Sequence, residues 1–161
     1  MTWIERAYKE RDSAQYAESQ YFVQARRLGE ALSAGTRKSV LMLKNLNNEH
    51  WVALDLNFKD SCIWYGDSFG EEPPPELMCA VEWWTHHHTG RDFTQAKLPI
   101  TTQNDGFSCG LLAYNALAHR ANPKKYPLID AAKVDDARLE ILLAVIGQHS
   151  DNVVSYPIHK R

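Results

Sequence analysis

Four side chains, Cys109, His50, Asp67 and Gln103, have the types and spacing to do chemistry together. Residues 103–110 read Gln-Asn-Asp-Gly-Phe-Ser-Cys-Gly and lead into Leu111, Leu112, Ala113, Ala116 and Leu117, whose spacing predicts a buried helix over 109–120. Ser108 stands at its N-cap, which puts Cys109 in the first turn. Helix N-terminal amides and the macrodipole favour a thiolate there, and a thiolate is a nucleophile. Gly106 and Gly110 permit a tight turn and the close approach of a substrate backbone. Gln103 offers a side-chain N–H to an oxyanion, alongside the backbone N–H of Cys109. The same cysteine could also be a structural thiol that merely begins a buried helix.

A base and its orienting acid come from a hairpin. Residues 50–56 (HWVALDL) and 61–65 (SCIWY) are β-prone runs separated by residues 57–60. Pairing Leu56 with Ser61 puts His50 opposite Asp67, and directly opposed Cβ atoms lie about 4.5–5.5 Å apart on one face. The carboxylate can then fix the imidazole tautomer and stabilise the imidazolium. Taken alone, the pair could equally be an ordinary surface contact between strands.

The elements that must position these groups follow from periodicity. Trp3, Ile4, Ala7 and Tyr8 have helical spacing, and Asp12-Ser13 caps a second, alanine-rich helix running to about Leu32. Residues 39–43 (SVLML) read as a strand buried on both faces, and 45–48 as a polar loop. Pro73-Pro74-Pro75 closes a loop and opens a helix over 76–88. Residues 94–101 form another strand, which Pro99 places near an edge or an end. A last helix spans 134–149, with Asp135 and Asp136 in its first turn. Helices at both ends flank a central run of strands, so the fold class is α+β.

Composition narrows the setting. A length of 161 residues predicts one domain, and a net charge of −2 argues against a nucleic-acid or membrane-surface partner held by bulk charge. The three cysteines, Cys62, Cys79 and Cys109, lack CxxC spacing. Neither a disulfide framework nor a four-cysteine zinc site is expected, and an intracellular setting, nuclear or cytoplasmic, fits. The longest apolar run, residues 141–147, is far short of the ~20 residues of a membrane span. His86, His87 and His88 point about 100° apart on a helix, so no metal site is expected, only a solvated helix end. Cys62 and Cys79 read as core or half-buried thiols, and Trp83-Trp84 as straddling the rim of the core.

In their order and spacing, His50-Trp51, Asp67-Ser68 and Gln103 followed six residues later by Cys109-Gly110 resemble the Ulp1/SENP family of ubiquitin-like-protein cysteine proteases. The likeness covers roughly residues 39–120, and its local wording is most like divergent fungal members. It implies a papain-like fold of the Ulp1 type, with a central, mostly antiparallel sheet and the nucleophile at the N-terminus of a buried helix. It implies a triad of Cys109, His50 and Asp67, with Gln103 in the oxyanion hole and no cofactor. The expected substrate-binding positions are Trp51, Gly106 and Ser108. The expected partner is SUMO or another ubiquitin-like protein, cleaved after its C-terminal Gly-Gly by a monomeric enzyme.

Two positions depart from the family pattern. Ser108 stands where the family usually has Asp. Only Trp3-Ile4 offers a counterpart to the Trp-Leu segment that walls the Gly-Gly tunnel upstream of the His. With 49 residues before His50, either the single domain (1–161) is truncated at its N-terminus and lacks that wall, or the tunnel is built differently. Two other readings stay open: an acetyltransferase on the same scaffold, which usually has Glu at the position of Asp67, and a non-catalytic modifier-binding domain.

Overall fold

The computed structural model describes residues 2–11 and 22–154, in two compact units divided after Leu128. The expected start of the second helix at Asp12-Ser13 lies outside the described residues. The first unit contains helices α1 (Trp3–Lys9), α2 (Val23–Ser33), α3 (Pro75–Thr89) and α4 (Cys109–Ala121). Its strands are β1 (Ser39–Leu46), β2 (His50–Asn57), β3 (Cys62–Gly66) and β4 (Thr94–Lys97). The second unit carries a 3₁₀ turn, Ala131–Lys133, started by an Asp130 carboxylate that accepts the Ala132 N–H, and helix α5 (Val134–Val154). Among the described residues no helix is long and apolar enough to cross a membrane.

The sheet has the order β1-β2-β3-β4, antiparallel at the first two pairs and parallel at the last. The parallel pair is possible because α3 supplies the crossover. Alternation along β2 then sorts side chains between two cores. Val52, Leu54 and Leu56 join Ile63, Tyr65, Ile4, Leu77, Val81 and Trp84 on the face covered by α1, α2 and α3. Ala53 joins Leu98, Ala113, Ala116 and Leu117 on the face covered by α4.

Two strand expectations need correction. Residues 39–43 are not buried on both faces: β1 is the edge strand, with Leu41 and Leu43 exposed. It also continues through the stretch read as a polar loop as far as Leu46, which pairs with His50 across a turn at residues 47–49. Asn47 and Asn48 adopt φ of 53° and 64°, a left-handed conformation that Asn tolerates better than most residues.

The β2–β3 register is also shifted by two residues, with Leu56 opposite Ile63 and not Ser61. Phe58 explains the shift. It is buried against Trp84 and Phe93, so the loop is 58–61 and not 57–60. Asn57 closes that loop by accepting the Asp60 N–H at 3.0 Å.

Some side chains fall elsewhere than expected. Cys62 is buried, as a core thiol should be, but Cys79 is exposed. Trp84 is fully buried, with its ring edge-on to Trp3 at 5.0 Å, while Trp83 lies at the rim against Tyr8. Trp3 and Ile4 therefore pack into the main core. His86 is exposed and paired with Asp92, but His88 is half-buried. Its ring lies edge-on to Trp84 at 4.9 Å and fills the space above Gly29, where a Cβ would fall 2.4 Å from it.

Candidate active site

His50 opens β2, and Asp67 follows β3 by one residue. A two-residue shift preserves the face to which a side chain points, so the pairing survives the corrected register. His50 Nε2 lies 3.0 Å from Asp67 Oδ2. Continued past Gly66, the observed register sets Phe69 opposite His50, and the two rings stack at 5.0 Å.

Asp67 is itself buried and held in place. Its Oδ1 accepts the Phe69 N–H at 2.7 Å, and its Oδ2 accepts the Tyr65 hydroxyl at 3.4 Å. Burial, and then the Asp67 charge, push the Tyr65 phenol above its ordinary pKa, so it remains a proton donor.

Helix α4 brings Cys109 to the same end of the sheet. Two contacts with β2 fix its course. Trp51 lies over Gly110, its Cδ1 3.4 Å from where a Cβ would stand, and Arg120 donates to Asp55 at 2.9 Å with its guanidinium 4.2 Å over Trp64. Four strand residues span about 13 Å and ten helical residues about 15 Å, so helix and strand run side by side in the same direction. Cys109, beside Gly110, therefore stands at the end of β2 where His50 and Trp51 begin it. Trp51 projects to the α4 face and His50 to the other, so His50 can address Cys109 only around the strand end. Among the described residues Cys109 and His50 make no hydrogen bond; such contacts often tighten only in the substrate complex.

The loop before Cys109 differs from expectation at its cap. Ser108 occupies the N-cap, but its side chain does not cap the helix. It is buried, and its hydroxyl donates to Asp105 Oδ2. The carboxylate of Asp105 organises the loop: Oδ1 accepts the N–H of Phe107 at 2.9 Å and of Ser108 at 2.8 Å. Ser108 thus holds the loop from within. Gly106 has open space around its Cα, and among the described residues of the first unit Phe107 is the most exposed large apolar side chain.

Gln103 is buried and tied to Ser68 twice, its backbone N–H reaching Ser68 O at 2.7 Å and its Oε1 accepting the Ser68 hydroxyl at 2.7 Å. Ser68 adjoins Asp67, so the Asp67 turn and the loop before Cys109 form one structure. The roles of Tyr65, Phe69 and Asp105 escaped the sequence reading. Asp105 alone left a sequence signal, an Asp-Gly three residues before a buried Ser, which is the form of an Asx turn.

A cleft of about 610 Å³ borders His50 and Phe69, with Glu49 and Glu71 on its wall. Another, of about 470 Å³, runs behind Asp67 and Ser68. Among the described residues no cluster of His, Cys, Asp and Glu could hold a metal ion.

No family model and no curated protein matches the chain. Solved structures do. The C-terminal Ulp1 protease domain in complex with Smt3, the yeast ortholog of SUMO, superposes with a TM-score of 0.52 at 24% identity, over 76% of this chain and 59% of that one. The SUMO protease Ulp1 with its catalytic cysteine oxidised to a sulfenic acid gives a TM-score of 0.57 at 20% identity, over 83% and 62%. The fold is therefore α+β of the papain-like Ulp1 type, and the chain spans about three fifths of the length of these two Ulp1 chains.

Proposed function

We infer that the chain is a cysteine peptidase or isopeptidase that cleaves after the C-terminal Gly-Gly of SUMO or a related ubiquitin-like modifier. The observation that carries this reading is the His50–Asp67 pair at the strand end, with Trp51 lying over Gly110 beside Cys109. With Asp67 holding the Nε2 proton, His50 Nδ1 is the base that takes the Cys109 proton. The thiolate attacks the terminal glycine carbonyl, and the leaving amine departs with a proton from His50. Water activated by His50 then hydrolyses the thioester. Gln103 and the first backbone N–H groups of α4 hold the oxyanion. Trp51 presses on a substrate backbone that has no Cβ to clash with it.

The test is a panel of SUMO, NEDD8 and ubiquitin C-terminal vinyl probes, read by the mass of intact protein and located by peptide mapping. A single adduct on Cys109 with at least one modifier, absent in Cys109→Ala, is expected. Labelling of Cys79 in preference to Cys109 would point to exposure alone and remove Cys109 from the nucleophile role, since Cys79 is the exposed thiol and Cys109 is buried. Turnover retained in Cys109→Ala would do the same.

A further inference from the structure

Gln103 is not idle in the unliganded chain. Its Nε2 donates to the main-chain oxygen of Asp105 at 2.7 Å and to Asp105 Oδ1 at 3.2 Å. A main-chain carbonyl can only accept, which settles that the nitrogen end of the amide faces Asp105. A carboxamide has two N–H groups, and both acceptors within reach of them belong to one residue. The same Oδ1 takes the N–H groups of Phe107 and Ser108. One carboxylate thus holds both the oxyanion donor and the loop that presents Cys109.

We propose that Asp105 is a positioning residue that stores the Gln103 amide and yields one of its N–H groups to the oxyanion; this rests on the cysteine-peptidase reading above. The N–H that moves is the one on Oδ1. Its bond is the longer, and the oxygen it leaves keeps two other donors. The 2.7 Å bond to the main chain stays and acts as the pivot. Hydrogen bonds to a carboxylate are roughly twice as strong as neutral ones, so the transfer exchanges one anion for another and the net gain is small. Asn at position 105 would keep an oxygen for the two backbone N–H groups while removing the charge that retains the amide. Release would then be easier, and the gain would appear only as charge develops on the substrate, in kcat and not in KM.

The experiment is a double-mutant cycle on SUMO C-terminal aminomethylcoumarin, with Asp105→Asn made in the wild-type chain and in Gln103→Ala. The expected result is a rise in kcat of about 3–10-fold in the wild-type background, with KM within about twofold, and no rise when Gln103 is absent. No rise in the wild-type background, or an equal rise in both, overturns the proposal. A second measurement needs no variant at position 105. The Gln103 side-chain amide is followed by NMR before and after Cys109 adds to a SUMO C-terminal aldehyde, whose hemithioacetal places an oxygen in the oxyanion position. One amide proton should move while the other stays. An adduct on Cys109 with both protons unmoved rejects the Asp105 role alone. Failure of the SUMO, NEDD8 and ubiquitin aldehydes alike to add to Cys109 rejects the peptidase reading and the Asp105 role with it.

Discussion

Asp67 divides its work between its two oxygens, Oδ1 on the Phe69 N–H and Oδ2 on His50. Asn at this position can keep the Phe69 bond only by turning its NH₂ toward His50 Nε2. That forces the imidazole proton onto Nδ1, the nitrogen that should take the Cys109 proton. Asp67→Asn should therefore lower kcat by about 10⁴-fold with an unaltered fold, the size of loss expected from a wrong tautomer in such a triad. Steady-state kinetics beside circular dichroism checks this; a loss below tenfold would make Asp67 a structural carboxylate. The pair was legible in the sequence although its register was wrong by two, because parity decides the face and a shift of two preserves parity. Ser108 was misread for a different reason. Its residue type suits a cap, but Asp105 three residues earlier competes for its hydroxyl, and that outcome depends on the three-dimensional path of the loop.

At the scale of elements, α4 is held along β2 by Arg120 on Asp55 and by Ala113, Ala116 and Leu117 packed with Ala53, while Gly110 lets Trp51 lie close over its start, beside Cys109. Its start at Cys109 was readable from local apolar spacing, and Gly110 as a point of close approach, though to a substrate backbone and not to Trp51. The edge position of β1 was not readable. An apolar run such as residues 39–43 states that burial is wanted, not whether a neighbouring strand exists to provide it. Trp51 sits on the α4 face beside Gly110 and is exposed, and in the peptidase reading it meets the substrate. Trp51→Ala should lower kcat/KM on Gly-Gly modifier substrates by one to three kcal/mol as an order-of-magnitude figure for an aromatic anchor. Alkylation of Cys109 by iodoacetamide should barely change. Parallel loss of both rates would show that the indole holds the site together and does not meet the substrate.

Across the first unit, the sheet separates a large core under α1, α2 and α3 from the smaller one under α4. Among the described residues, the charges buried beside the large core, Lys44 and Asp67, each have a partner. Lys44, buried on the edge strand, reaches both oxygens of Glu5, which also completes the capping box of α1 with Thr2. Burial alone would raise the Glu5 pKa, but the Lys44 and Thr2 hydrogen bonds outweigh it and the net shift is downward. Neither long-range partner could be found from a single sequence, since 39 residues separate them.

His88 also titrates near this core, and burial first, then His87, lowers its pKa from 6.5 to about 4. The two groups act in successive windows. Between pH 6.5 and about 4 the unfolded chain binds a proton at His88 that the folded chain refuses, so stability falls as pH falls through that range. Glu5, with its pKa held below 4.5, adds its own loss only as pH drops further. The His88 ring lies against Gly29 and Trp84. The thermal midpoint should therefore decline steadily from pH 6.5 to 4. In His88→Gln, which presents no titrating ring there, that slope should flatten while the steeper fall below pH 4 remains. Scanning calorimetry on both chains at matched ionic strength separates the cases: identical slopes in the two would place the acid sensitivity outside this helix contact.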